Sequence, residues 1–289
     1  MHYEDQTGGK GNDEVMKKQI IYEAGPQLRN GRRFVHEAAT DLHQSLSLGF
    51  TLFQAGLQTQ SRRALLGHLW LFIPAIMAVT AISYVQARGI FHFPDIGMPV
   101  AVFVFAGTTL WQLLLETLNA PTRQLIAHRG TVTRLRVPHE AMILAGVYEA
   151  FLNAAVRLGS LLILCIFLRV PLGTTTLFAP FAAVPVAMLG LAVGLLFAPI
   201  TLLYEDGARG LLLVTNLLVF AMPVAYPITA SGVQRFNPLI PLLDTPRNLL
   251  VRLSVSNGFA ATAALAAALL LVAWFIYRLA RPHIVARLG

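Results

Sequence analysis

The chain has 289 residues, of which 56% are hydrophobic and only 12% charged, with a formal net charge of +8. Soluble domains carry roughly 25% charged residues, so this balance excludes an ordinary aqueous globule and points to a chain whose solvent is partly lipid. A basic balance admits nucleic acid or anionic lipid as partner, and the placement of the charges decides between them.

Residues 1–36 are polar, glycine-containing and weakly patterned. They are expected to form a mobile N-terminal tail, with local helix at Val15–Tyr22. The opening stretch lacks the short apolar run of a cleavable signal, so export is expected to begin at the first internal span. In residues 37–60, Leu42, Leu46, Phe50, Phe53 and Leu57 recur at helical spacing. Asp41 with Gln44 three residues on fits a cap for the start of that helix. It is too polar to span a bilayer. An amphipathic helix on the membrane interface, a docking helix and an ordinary packed helix all fit its pattern.

Residues 61–289 hold the spans. Each needs about 20 mostly apolar residues. Six segments qualify: Ala64–Val85, Ile96–Leu115, Ala141–Leu168, Leu177–Leu203, Leu211–Ala230 and Ser254–Tyr277. Arg62 and Arg63 stand at the boundary of the first, Trp70 is an anchor or a partner-facing residue, and Pro74 is expected to kink it. With six spans both termini share a side. That side carries sixteen Lys and Arg and the opposite side five, with Arg157 inside a span. Positive charge marks the cytoplasmic face, so both termini are expected there. Spread over every loop on that side, the charge follows topology and does not form the single basic face that nucleic acid requires.

Three connections stand out. The cytoplasmic segment from Pro121 to Pro138 holds four arginines between its prolines and suits a short helix lying on the membrane surface. The second cytoplasmic link, "YEDGARG", carries the acidic pair Glu205 and Asp206. On the outer side, "SGVQRFNPLIPLLDTPRNLLVR" is apolar in patches and broken by Pro238, Pro241 and Pro246, as a re-entrant segment packed on protein would be.

Motifs of chemistry are sparse. His36-Glu37 and His139-Glu140 each begin a zinc-protease pattern, but Thr40 and Ile143 occupy the place of its second histidine. No phosphate-binding glycine loop and no G-x-S-x-G nucleophile turn occur. The single cysteine, Cys165, excludes an internal disulfide or a cysteine zinc cluster. The charges inside spans carry more information, because each costs about 2.5–3.5 kcal/mol to bury even on a lenient insertion scale. Glu149, Asn153 and Arg157 repeat every four residues on one helix face, and Thr109, Gln112, Glu116 and Asn119 form a second stripe running toward Arg123. Either the stripes pair with each other or they face a hydrated conduit; both can hold. The Gly190–Gly194 pair in "GLAVG" is a small-residue helix contact.

In order along the chain stand Arg62-Arg63 with Gly67-His68-Leu69-Trp70 and Pro74, then "FAGTTLW", "RLRVPHEAM", "LYEDGARGLL", "PVAYPI" and "FNPL". This series resembles the permease subunits of ABC-2 type polysaccharide exporters, the group that moves capsule, O-antigen and teichoic acid type glycans, from about Leu46 to Leu288. The resemblance implies an all-α membrane protein: six transmembrane helices, an N-terminal interface helix, a cytoplasmic coupling helix and an outer re-entrant segment. It implies a homodimer in the bacterial cytoplasmic membrane, bound to two copies of a separate ATPase that holds ATP and magnesium. The chain itself would be non-catalytic and without cofactor or metal. Its substrate would be a lipid-linked glycan, with further export partners beyond the membrane. Arg123, His128, Arg129, Arg134, Arg136, Glu205 and Asp206 would serve coupling to the ATPase. Pro223, Tyr226, Pro227, Phe236, Asn237 and Pro238 would belong to the outer gate. Sugars suit aromatic faces and polar bonds, so Phe103, Phe105, Trp111, Gln112, Glu116, Asn119, Glu149, Asn153 and Arg157 are conduit-lining candidates. The rival functions are a secondary transporter, which predicts internal repeats that the two halves do not display, and a membrane enzyme acting on lipid-linked sugars, which needs a cluster of acidic or nucleophilic residues.

Overall fold

A computed structural model of the chain describes residues 31–61, 72–89, 96–127, 138–221, 224, 237–251 and 254–288. The described residues are helical with no strand among them. The chain falls into two units, Met1–Ala39 and Thr40–Gly289, the first described only over 31–39.

Helix α1 runs from Gly31 to Ser61. It starts well before the expected cap at Asp41, because no proline interrupts residues 31–61 and the helix-compatible sequence continues upstream. The expected tail therefore ends in helix. The packed side of α1 also differs from the side that hydropathy picks out. Ser45 and Gly49 are buried, whereas Leu46 and Phe50 are exposed. A Cβ on Gly49 would lie 2.8 Å from the Ala141 carbonyl oxygen, so small residues set the contact with the helix that follows residue 138. Phe50 and Phe53 instead flank Tyr148, with ring centroids 5.8 and 6.1 Å away.

Helix α2 covers Ile73–Ala87 with Pro74 in its first turn. A proline there gives up no intrahelical bond of the described helix; the part of the expected span before Phe72, toward which a kink at Pro74 would turn, lies outside the described residues. Arg62, Arg63, Gly67 and Trp70 lie outside the described residues. Helix α3 (Val100–Ala127) and helix α4 (His139–Phe167) follow. A 3-10 turn at Thr174–Phe178 and one helical turn at Ala179–Ala182 lead into α5 (Val184–Leu203). Then come α6 (Glu205–Ala221), α7 (Leu239–Leu250) and α8 (Phe259–Leu288).

Four of these segments are long and apolar enough to cross a membrane: Val100–Ala127, His139–Phe167, Thr174–Leu203 and Phe259–Ala280. They are compatible with a multi-pass membrane protein. Expected spans one and five are described in part, as the shorter apolar helices Ile73–Ala87 and Arg209–Val219; their remainders lie outside the described residues.

Pro121 does not open a separate element. It sits inside α3, which continues to Ala127. Packing overrides the break: Thr122 bonds Thr201 of α5 through their hydroxyls at 2.7 Å, and Leu125 joins Met142, Leu195 and Tyr277 in a buried cluster. The "YEDGARG" link is also shorter than expected. Only the extended Tyr204 separates α5 from α6, which begins at Glu205, and Asp206 stands in its first turn, where a carboxylate complements the helix dipole. Pro241 and Pro246 likewise lie within α7 without ending it.

Helix α3 is the hub. Leu113 packs with Ala150 of α4 and Ala187 of α5, and Trp111, Leu114 and Leu118 pack with Val186, Val224 and Leu242. On α5, a Cβ at Gly190 would collide with the Leu114 carbonyl and the Thr117 hydroxyl, and one at Gly194 with the Leu118 carbonyl. The "GLAVG" glycines thus let two backbones touch, the packing that membrane helices rely on when lipid offers no hydrophobic drive. The outward sides are apolar. Ile163, Ile166 and Phe167 of α4 and Leu265, Leu271, Val272, Phe275 and Ile276 of α8 are exposed, while Ala266, Ala273 and Tyr277 of α8 face in.

Candidate functional site

The two polar stripes meet. Arg157 Nη2 on α4 pairs with Glu116 Oε1 on α3, and Asn153 Nδ2 donates to Glu116 Oε2 at 3.1 Å. Farther along the antiparallel helices, Arg123 Nη2 donates to Glu149 Oε2 at 2.9 Å and Gln124 Nε2 reaches the same oxygen at 3.3 Å. The four-residue spacing on α4 is what aligns Glu149, Asn153 and Arg157 with one side of α3. A Cβ on Gly146 would sit 2.8 Å from Gln124 Cγ, so glycine there lets the helices close. Each charge meets an opposite one in the seam, which offsets part of its burial cost. Asn119 Nδ2 donates to the Leu115 carbonyl in its own helix at 2.8 Å, and Gln112 is half-buried.

The aromatic candidates do not join this seam. Phe105 is buried among Val102, Leu161, Cys165 and Leu250, and Trp111 lies in the cluster of Leu114, Val186, Val224 and Leu242. Phe103 is buried under a cation: the Arg247 guanidinium carbon lies 4.2 Å from its ring centroid.

That arginine is the feature sequence reasoning missed. Counting it as an outer loop charge gave it no further part, yet its side chain is fully buried. Nη2 donates to the Val224 carbonyl at 2.7 Å and Nη1 to Asp244 Oδ1 at 3.3 Å. A Cβ on Gly107, the glycine of "FAGTTLW", would overlap both the guanidinium and the Val224 carbonyl. Val224 stands between Pro223 and Pro227 in the "PVAYPI" segment, where prolines withdraw backbone donors. Arg247 supplies a donor to the Val224 carbonyl, three residues past the end of α6 at Ala221. Burial pulls the guanidinium down to about 10, with Asp244 opposing, so it stays charged at neutral pH. The same burial raises the Asp244 carboxyl above its usual value, against the pull of Arg247. The signal present in the sequence was an arginine within a helix-compatible run, but its acceptor and its cradle are distant in the chain.

At the opposite end of the bundle, His139 Nδ1 lies 3.3 Å from the Tyr277 hydroxyl and Arg278 Nη1 is 3.7 Å from Glu140 Oε1. These contacts tie the start of α4 to α8. Among the described residues no group of three or more His, Cys, Asp or Glu is placed to hold a metal. Of the coupling candidates, Arg123 faces Glu149, and Asp206 forms an exposed pair with Arg209 at 3.6 Å, a kind worth little in water. Glu205 begins α6. His128, Arg129, Arg134 and Arg136 lie outside the described residues, as do Pro223, Tyr226, Pro227 and Phe236. Asn237 Oδ1 accepts from the Leu239 amide at 3.0 Å and so caps α7, with Pro238 between them.

Comparison with models of known protein families gives no match, and comparison with curated proteins gives none either.

Proposed function

We propose that this chain is the transmembrane permease subunit of an ATP-driven exporter of the ABC-2 polysaccharide group, moving a lipid-linked glycan across the bacterial cytoplasmic membrane. The observation that carries the reading is a convergence. Gly107 of "FAGTTLW", Val224 of "PVAYPI" and Arg247, which follows "FNPL", stand in mutual contact. Segments that resemble the family in sequence order are thus neighbours in space. Two copies of the chain would bind two copies of a separate ATPase, which holds ATP and magnesium. Both termini would lie on the cytoplasmic side.

In this scheme ATP binding draws the ATPase subunits together. The cytoplasmic connection around Arg129, Arg134 and Arg136 receives that movement. The bundle then opens a path wide enough for a sugar chain, and buried aromatic faces such as Phe103 and Trp111 become available to pyranose rings. The test is ATP turnover and glycan export with the partner ATPase present. Arg134→Glu with Arg136→Glu should uncouple turnover from export and weaken association. Intact coupling in that double variant would remove the docking assignment.

The Glu116–Arg157 pair favours a second reading, since ionisable groups within spans also mark ion-coupled transport. Glycan uptake into proteoliposomes driven by a proton gradient without ATPase would select that reading over the exporter.

A further inference from the structure

The geometry points to Arg247 as a positioning residue: a releasable latch that holds α7 against α3 and the Val224 turn. Three contacts converge on one guanidinium. Its face stacks on Phe103, one edge donates to the Val224 carbonyl and the other to Asp244. A planar, forked cation meets all three demands at once, and a lysine ammonium does not. Gly107 completes the site by leaving the volume that the guanidinium and the carbonyl fill.

The latch is built to let go. Its side chain is fully buried, with the Phe103 ring lying on its face. Nε has no hydrogen-bond partner among the described residues. An apolar side chain of similar size fills such a place without the burial cost of a charge. What the charge adds is a second favourable state. Once α7 moves off α3, the guanidinium is solvated by water or lipid phosphate, so docked and released positions are both served. Asp244, a third exposed, lies on the same helix and travels with it. Under the exporter reading this latch sets the resting position of the gate, and that assignment rests on that reading. The latch itself is a property of the fold.

The test uses the full chain in lipid nanodiscs, with Cys165→Ala and a reporter cysteine at the fully buried Leu243, labelled by a water-soluble maleimide. No ATPase or glycan is present, so the result stands whether or not the chain is an exporter. The parent should label slowly. Gly107→Ala, which displaces the guanidinium and the Val224 carbonyl without removing either, should raise the labelling rate roughly tenfold, as an overpacking penalty of this kind implies. Arg247→Lys should raise it by a smaller factor, and Phe103→Leu, which removes only the stacking, by about twofold to fivefold. If Gly107→Ala is not recovered folded, the last two variants carry the test. Unchanged labelling in the folded variants overturns the latch. In a separate export assay with the partner ATPase and glycan added, unaltered ATP-coupled export in variants that label faster retains the latch and removes its role as gate.

Discussion

Glu116→Gln places a neutral amide opposite an Arg157 guanidinium whose side chain is 4% exposed. Removing one partner of a buried pair costs about 3–5 kcal/mol. The introduced amide would still accept a hydrogen bond, and the Glu116 side chain keeps 15% exposure, so the expected loss is nearer to about 2–3 kcal/mol. Arg157→Met should cost a similar amount, because Glu116 then keeps only Asn153 of its two α4 partners. The double variant has no charge to leave stranded and should return to within about 1 kcal/mol of the parent. Single costs that sum to about 4–6 kcal/mol, against a double that costs about 1 kcal/mol or less, imply a coupling energy of at least about 3 kcal/mol. The assay is reversible unfolding in mixed micelles, followed by circular dichroism over a detergent titration. If each single variant costs less than about 0.6 kcal/mol, the ordinary size of an interhelical bond in a membrane, and the effects add, then water already solvates these groups. The seam would in that case be the wall of a wet passage and not a closed contact.

Gly190→Leu and Gly194→Leu should each destabilise by about 3 kcal/mol or more, since even a Cβ overlaps backbone of α3. Gly159→Ala, with nothing within 4 Å of the new carbon, should be neutral or mildly stabilising in the same unfolding assay. Thr201→Val takes the Thr201 partner from the buried Thr122 hydroxyl and should cost about 1 kcal/mol, whereas Thr122→Val should cost less, because the Thr201 hydroxyl keeps its bond to the Ala198 carbonyl; the double variant should cost less than the sum.

The spans were legible because hydropathy is a local property, and four of the six expected segments correspond to long apolar helices. The boundaries were less so. Glu116, Asn119 and Arg123 argue against a span when α3 is read alone, yet α3 continues past them because Glu116 and Arg123 find their opposites on α4. The packed side of α1 was misjudged for a related reason. Hydropathy ranks Leu46 and Phe50 above Ser45 and Gly49, but close approach to α4 rewards the smaller pair. Arg247 was beyond reach. Its burial depends on an absent side chain at Gly107 and on a carbonyl at Val224, and no local pattern joins the three.

The joint at Tyr204 bears on how force travels through the bundle. One extended residue spans at most about 3.6 Å, and a Cβ on Gly207 would lie 3.2 Å from Ile200 across the bend. There is no slack here to absorb a displacement. A push on the first turn of α6 is handed directly to the end of α5. Gly190 and Gly194 then hand it to the backbone of α3 without a cushion of side chains between. This one-residue link is thus a stiff transmission, from a surface turn carrying Asp206 and Arg209 to the α3 hub.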